Sequence, residues 1–255
     1  VTHTPDFDLI LTRDPDQIAA AQALRYTVFV TELGGQGAGV DHAAGRESDP
    51  FDALCTHLIL RDMARTEGDR VVGVYRLLDQ DSAAQAGRFY SETEYDLAPL
   101  RASGRRLLEL GRSCLHPDYR GGAAMFHMWS GLAAHVEEAG IDTLFGVASF
   151  HGTDVDALAA PLSILHHRHL APPECRVTAR APQAVSMDRL PDGSYDRAAA
   201  MRAVPALIKG YLRLGGVVGE GAWVDRHFNT TDVCLVMDTA RLSERARAIY
   251  LKPRG

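Results

Sequence analysis

Apolar positions recur along the chain with two periods, and the alternation between them lays out a sequence of strands and helices. The run FDLILT (7–12) reads as a short strand. The helix that follows spans 14–33, DPDQIAAAQALRYTVFVTEL, with Asp14 at its N-cap, Pro15 at its first position and Gln17 at the capping-box spacing. Ile18, Ala21, Arg25, Val28 and Phe29 share one face, so an arginine stands among apolar residues; a guanidinium reaching around the helix edge to water is the alternative. Residues 34–52 are Gly-rich, acidic and aperiodic, a loop of a length that usually serves function or moves. LCTHLILRDM (54–63) and RVVGVYRLLD (70–79) read as strands joined by a turn at Glu67-Gly68-Asp69, with Arg76 inside the second.

Residues 80–105 are mixed, with a short strand at RFYSETEY (88–95). A strand at 106–115 leads into a helix at about 122–139, whose Met125, Met128, Trp129, Leu132 and Val136 share a face and which Gly140 ends. DTLFGVASF (142–150) is a buried strand, and a helix opening at Thr153 or Asp154 is kinked or restarted at Pro161. Residues 171–200 hold four prolines and read as a long cover loop or insertion. A short helix in 204–216, strands at 217–223 and 231–238 around the turn DRHFN, and a helix at 240–250 within a 240–255 tail complete the chain. This order predicts an α/β fold: a single domain over 1–255 with a mixed central sheet flanked by helices.

Composition narrows the function. The 255 residues are 46% hydrophobic and 24% charged, with a net charge of −6, which gives no electrostatic support for nucleic-acid binding. Lys209 and Lys252 are the only lysines, so the basic groups are nearly all arginines, suited to forked contacts with carboxylates and phosphates; base composition of the genome is the plain alternative. Cys55, Cys114, Cys175 and Cys234 form no CxxC pair, which points to reduced thiols and no zinc site. HHRH (166–169) reads as a solvated helix end, and no metal is expected. The polar start VTHTPDFD and the lack of any apolar run near about 18 residues lead us to expect neither signal peptide nor span, and a cytoplasmic protein.

The stretch LLELGRSCLHPDYRGG (107–122) carries the chemistry. It sets Glu109 and Arg112 inside an apolar strand, then breaks into a basic Gly-rich turn before a helix. Such a turn directs backbone N–H groups and a helix N-terminus at one point, an arrangement that binds phosphate. HPDYRGGAAMF is similar to the cofactor turn of the GCN5-related N-acetyltransferase superfamily, Arg/Gln-x-x-Gly-x-Gly/Ala. Arg120, Gly121 and Gly122 fit, whereas the motif's two small positions hold Ala123 and Met125. A pyrophosphate needs both small residues; a single phosphodiester, as on the phosphopantetheine of an acyl carrier protein, needs less.

LRYTVFVTELG, ESDPFD, VVGVYRLL and ELGRSCLHPDYRGG, in this order, resemble the N-terminal half of the acyl-homoserine lactone synthases, and more closely the ornithine–acyl-carrier-protein N-acyltransferases, which make lyso-ornithine lipid. LFGVASFHGTD, PALIKGYLRLGG and AWVDRHFNTTDVCLVMD resemble the latter family, so the likeness covers about 25–238. It implies a GCN5-related N-acetyltransferase-like fold, L-ornithine as acceptor, a 3-hydroxyacyl-phosphopantetheine of acyl carrier protein as donor, and no bound cofactor. It also implies roles. Arg25 and Phe29 match positions beside the acyl and acceptor pocket; Leu33 and Gly34 stand where the lactone synthases carry a tryptophan. Asp49 and Asp52 match paired acids of an N-terminal loop, Arg76 the strand arginine that pairs with them, and Glu109 and Arg112 the strand pair E-x-x-R, both expected to be catalytic. Arg120, Gly121 and Gly122 match the phosphopantetheine turn.

Physical chemistry runs alongside. An α-amine must lose a proton before attacking a thioester, and a carboxylate within reach, directly or through one water, can take it. Glu109 is the candidate base, raised toward neutrality by burial. Arg112, three residues on, faces the other side of a regular strand unless a bulge intervenes, and could instead anchor the acidic loop. N–H groups around Ser113–Leu115 are candidate oxyanion donors. Ser149 is a candidate substrate contact. No nucleophile–base pair stands out, so direct attack is favoured. Asp225, Asn229 and Asp232 either meet ornithine's second amine or shape the hairpin. Arg101, Arg105 and Arg106, or Arg241, Arg245 and Arg247, are candidate docking patches for the acidic carrier protein. An amphiphilic product suits peripheral contact with the inner membrane. Two other readings remain: another acceptor or a lactone precursor, and a non-catalytic acyl-carrier or lipid-binding module.

Overall fold

The computed structural model describes residues 4–241. In chain order its elements are β1 (Phe7–Thr12), α1 (Pro15–Arg25), β2 (Val40–Asp41), β3 (Arg46–Glu47), β4 (Thr56–Asp62), β5 (Val71–Asp79), α2 (Gln80–Gln85), β6 (Tyr95–Asp96), α3 (Ala98–Ala102), β7 (Leu107–Leu115), α4 (Ala124–Ala139), β8 (Thr143–His151), α5 (Ala159–His169), β9 (Thr178–Ala179), β10 (Ala184–Val185), α6 (Arg197–Ala203), α7 (Ala206–Arg213), β11 (Val217–Val218), β12 (Ala222–Asp225) and β13 (Thr230–Asp238). They fall into two compact units. Among the described residues one comprises 4–87 and 110–140, the other 88–109 and 141–241, so β7 runs from the second into the first at Glu109–Leu110.

In the first unit β1, β4 and β5 form an antiparallel ladder, with β7 next to β5. Side chains alternate across these strands, and the alternation supplies two packed faces. Ile10, Ile59, Val74 and Cys114 meet Ala21, Leu24 and Val28, the α1 side. Their chain neighbours face α4: Leu9 and Leu58 lie against Gly131, and Gly73, Leu60 and Leu115 crowd Met128. A side chain at 73 would place its Cβ 2.8 Å from the Leu115 methyl, which is why a strand interior carries a glycine there. α4 stops at Gly140, whose φ of +62° suits a left-handed cap.

Asp14 caps α1 as the sequence predicts, accepting from the Asp16 and Gln17 amides at 2.8 and 3.3 Å. The capping box does not close, because the Asp14 amide donates to Thr12 Oγ1 at 3.0 Å instead. The helix expected to run to 33 changes winding: Tyr26–Glu32 forms a π-helical segment directly after Arg25. Such widened turns are rare and are found frequently at functional sites. Within the loop 34–52, β2 and β3 pair as a small ribbon.

In the second unit β7 pairs in parallel with β8 over Leu107–Glu109 and Thr143–Phe145, and β8 pairs antiparallel with β13 along nine residues of each. β13 continues through β12 to β10, and β11 also pairs with β13, so the sheet is mixed as expected. Several expectations fail locally. The strand at 88–95 is absent: Tyr90–Thr93 is a tight 3₁₀ turn, and strand pairing is confined to Tyr95–Asp96. The helix expected from 153 or 154 starts at Ala159; Asp154 instead closes a turn by accepting from the Asp156 and Ala157 amides, and Pro161 lies in the first helical turn, where its missing N–H costs nothing. Residues 171–200 are not a bare loop. β9 pairs with β6, β10 with β12, and α6 begins at Arg197, because packed backbone amides need partners. The 240–250 helix lies outside the described residues beyond Arg241. His167, in the HHRH run, is held by Tyr195 Oη at 2.9 Å and Asp188 at 3.0 Å.

Asp14→Ala should cost about 1 kcal/mol, the usual worth of an N-cap. That should lower the melting temperature by about 2–4 °C in a chain of this size. Calorimetry checks it.

Candidate active site

Arg25, Phe29, Asp49, Asp52, Arg76 and Arg112 all belong to the first unit. Five of the six, with Glu47, close into a ring in which guanidinium and carboxylate alternate. Arg25 Nε donates to Glu47 Oε2 at 2.5 Å. Glu47 Oε1 accepts from Arg112 Nε at 3.2 Å, and Arg112 Nη2 donates to Asp49 Oδ2 at 2.9 Å. Asp49 Oδ2 also accepts from Arg76 Nη1, which bonds Asp52 Oδ1 at 3.0 Å. Asp52 Oδ1 returns to Arg25 Nη1 at 2.7 Å. Three arginines thus face three carboxylates, and the ring is neutral.

Each element contributes for a local reason. Arg25 is fully buried on the apolar face of α1, and one turn earlier Gln22 donates to Asp52 Oδ2 at 2.9 Å. Arg76 stands on β5 directly across from His57 on β4. His57 is fully buried, and its Nε2 lies 2.9 Å from the Asp52 carbonyl, so Nε2 carries the proton. Burial holds that imidazole below its ordinary value, against the pull of Asp52, which keeps a further cation out of the ring. Arg112 has φ +50° within β7. This left-handed residue is rare in a strand and turns the guanidinium toward the acidic loop. The guanidinium of Arg76 also lies 5.7 Å from the Phe51 ring centroid.

Burial alone would favour the neutral acids. Against it, the charge of Arg25 and its hydrogen bond, with Arg76, hold Asp52 well below the carboxylate range. Asp49 is likewise lowered, burial being outweighed by Arg76 and Arg112. Phe29, on the π-helical segment, is half-buried and packs against the α1 core.

Glu109 and Ser149 belong to the second unit. Glu109 is 3% exposed. Its Oε2 accepts from the Tyr90 amide at 2.7 Å, and its Oε1 from the Ser91 amide at 2.6 Å and from the Ser91 hydroxyl. These donors stabilise the ionised carboxylate and oppose the effect of burial, a compensation the sequence did not reveal. Ser149 is exposed on β8 and pairs in register with Asp232. Asp225 shapes the hairpin, accepting from the His227 and Phe228 amides, and Asn229 takes a left-handed φ of +52°. Burial pushes the Cys114 thiol up to about 12 and Cys234 still higher, so neither supplies a thiolate near neutrality.

Arg120 follows a 3₁₀ turn (Pro117–Tyr119) and precedes Gly121, φ +76°, and Gly122. Its guanidinium is engaged by Glu32 and by the Leu115 carbonyl. The Arg101–Arg106 patch is partly neutralised: Arg101 pairs with Glu92, and Arg105 with Asp238, leaving Arg106 as its exposed member outside these pairs. Arg241 stands 3.7 Å from Asp238, and Arg245 and Arg247 lie outside the described residues. Among the described residues no cluster of His, Cys, Asp or Glu could hold a metal ion, and no helix is long and apolar enough to cross a membrane.

Sequence reading found the ring's arginines and its two aspartates but missed Glu47, Gln22 and His57, as well as the turn at Tyr90–Ser91. Gln22 is three residues before Arg25 on one helix, and Glu47 two before Asp49, spacings that could have flagged them; His57 could be found only from strand register.

Asp52→Asn leaves Arg25 and Arg76 sharing a neutral amide and should cost about 3–5 kcal/mol, as for other broken buried pairs. Asp8→Asn, at the part-exposed pair with Arg61, should cost less than about 1 kcal/mol. Urea titration separates the two. Because Asp49 and Asp52 are depressed in the folded state, their contribution is complete above the unfolded aspartate value of about 3.9 and is lost progressively as pH falls from there through the lower folded values. Acid unfolding of the wild type should therefore be steeper below that pH than acid unfolding of Asp52→Asn.

Residues 24–130 match the acetyltransferase (GNAT) domain family. An L-ornithine N(alpha)-acyltransferase of Rhodobacter capsulatus is 58% identical over 248 residues, covering 96% of this chain and 95% of that protein. Proteins of the same name from Rhizobium meliloti and Brucella abortus are 42% and 40% identical, covering 94% and 91% of this chain and 82% and 84% of theirs. Among solved structures, FeeM, an N-acyl amino acid synthase from uncultured soil microbes, superposes with a TM-score of 0.54 at 12% identity, covering 96% of this chain and 99% of that one. The CoA-dependent acyl-homoserine lactone synthase BjaI, with SAM and isopentyl-CoA, gives 0.53 at 14%, covering 98% and 92%. These structural likenesses establish the fold alone; the sequence identities go further. The protein is an acyltransferase of the GNAT fold, and the chain belongs to the L-ornithine N(alpha)-acyltransferase family.

Proposed function

We propose that the chain, as one acyltransferase domain over 1–255, moves a 3-hydroxyacyl group from the phosphopantetheine of acyl carrier protein to the α-amine of L-ornithine, giving lyso-ornithine lipid. The observation that carries this is 58% identity, across nearly the whole chain, to a protein named for acylating ornithine. The incomplete pyrophosphate motif at 120–125 supports a single-phosphodiester donor over coenzyme A.

In this reading Glu109 takes the proton from the ornithine α-ammonium, directly or through one water. The amides of Tyr90 and Ser91 fix its orientation, so the base is aligned before substrate arrives. The neutral amine attacks the thioester carbonyl, the new N–C bond forms, and as the C–S bond breaks the extra proton on the nitrogen passes to the pantetheine sulfur, which leaves as a thiol. Backbone N–H groups around Ser113–Leu115, beside the left-handed Arg112, are the proposed donors to the oxyanion. Arg112, expected from sequence to be catalytic, is proposed as a positioning residue, since its guanidinium bridges Glu47 and Asp49. Arg25, Asp49, Asp52 and Arg76 act with it, their charged atoms spent on one another, and order the segments that meet substrate. Phe29 and Ser149 are proposed substrate contacts, and Arg120, Gly121 and Gly122 the phosphopantetheine turn. The enzyme would work in the cytoplasm, in peripheral contact with the inner membrane that receives its product.

The test is a cross of donors and acceptors read by mass spectrometry. The donors are 3-hydroxyacyl and plain acyl carrier proteins and the matching coenzyme A esters. The acceptors are ornithine, lysine, glutamine, glycine and S-adenosylmethionine. N-acylornithine from the 3-hydroxyacyl carrier protein is expected; product from coenzyme A esters alone would refute the donor, and product with another acceptor would refute ornithine. Glu109→Gln should lower kcat by about 10²–10⁴-fold while the protein stays folded by circular dichroism. Unchanged turnover would remove Glu109 from the chemistry.

A further inference from the structure

The arginine that opens the glycine turn already holds an anion. Arg120 Nη1 and Nη2 donate to Oε1 and Oε2 of Glu32 at 2.6 and 2.7 Å. This two-pronged geometry is the one a guanidinium offers to phosphate. Glu32 therefore stands where the oxygens of a phosphodiester on Arg120 would stand. The hydrogen bond from Arg120 holds the Glu32 carboxyl below its ordinary value, so it is an anion at neutral pH. Both side chains are open to water, at 43% and 36% exposure, so the pair is free to exchange. The backbone beyond it is bare: a Cβ built at Gly121 meets nothing within 4 Å.

Glu32 also occupies a particular place in the chain. It ends the π-helical segment that starts directly after Arg25 and carries Phe29. Two residues later Gly34 takes a φ of +74°, and the Gly34 and Gly35 amides bond back to the Val30 and Phe29 carbonyls. A ligand that takes Arg120 away from Glu32 therefore releases the tether on the end of the segment bearing Phe29.

We propose that Glu32 is a positioning residue that acts through Arg120: it fills the anion seat of the turn until the phosphate of the acyl donor displaces it, so that donor arrival frees the 26–32 segment. The inference rests on the reading of residues 120–122 as the donor-phosphate turn. Occupation of the seat by an internal carboxylate raises the donor concentration needed for half-saturation, and its removal lowers it.

The test measures steady-state kinetics with acyl carrier protein as donor, and competitive inhibition by inorganic phosphate, for Glu32→Gln, Glu32→Asp and Arg120→Gln. Glu32→Gln should lower donor KM by about two- to fivefold, the range an exposed ion pair is worth, with the change in KM and not in kcat. It should make phosphate a correspondingly better inhibitor. Glu32→Asp, which keeps the charge, should return both toward wild type. Arg120→Gln should raise donor KM and abolish any effect of a second Glu32→Gln change. If Arg120→Gln leaves donor KM unmoved, the donor-turn reading fails and the inference with it. If Arg120→Gln raises KM but Glu32→Gln does not lower it, the inference alone is wrong and the pair is a structural brace.

Discussion

The first unit is organised around a closed circuit of charge. Six ionised side chains, on α1, β3, β5, β7 and the 49–52 turn, meet with every carboxylate touching two guanidinium groups and every guanidinium two carboxylates. Arg25 and Arg76 are almost wholly out of water. An isolated charge in that position would be prohibitive, and a single buried pair does little better than break even. A neutral ring is different: each member is solvated by two opposite charges, and ordering one side chain orders the next. The ring is consequently an all-or-none device. It ties the acidic loop to a helix and two strands, at a place where the sequence has few apolar residues with which to do so.

That arrangement constrains the chemistry. Arginines held by carboxylates are poor candidates for direct substrate contact, which is why the ring is proposed to frame the site and not to touch substrate. Glu109 is treated in the opposite way. Its carboxylate accepts from two backbone amides and a hydroxyl of the Tyr90–Ser91 turn, dipoles that fix its orientation. The Arg120–Glu32 pair is a third kind of charge pairing, exposed and two-pronged.

Much of this was written in local sequence. β1, β4, β5, β7 and β8 lie within a residue or two of where alternation put them, and Asp14, Pro15 and Gly140 mark helix ends by chemistry confined to a few neighbouring residues. Arg25 among the apolar positions of α1 left burial and a reach around the helix edge both open, and the family resemblance paired the acids at 49 and 52 with Arg76; that Asp52 also binds Arg25 was not legible. Where local signals competed with distant ones, they lost. RFYSETEY has strand composition, yet Glu109, eighteen residues from Ser91, captures the amides of Tyr90 and Ser91 and makes a tight turn of it. The 171–200 stretch looks aperiodic because its strands are two residues long and exist only through partners elsewhere in the chain.

The sequence by itself therefore determined the long strands β1, β4, β5, β7 and β8, the caps of α1 and α4, and the family. Tertiary structure alone decided which charges meet. It decided that the ring closes through Glu47, that Arg112 takes a left-handed conformation and turns to the acidic loop, that His57 stays neutral across from Arg76, and that Glu32 sits in the fork of Arg120. The physical reason is one of range. Capping, periodicity and turn chemistry act over three or four residues of chain, whereas the partner of a charge is chosen by distance in space: the ring's partners lie 22 to 65 residues apart in sequence, and Glu32 lies 88 from Arg120.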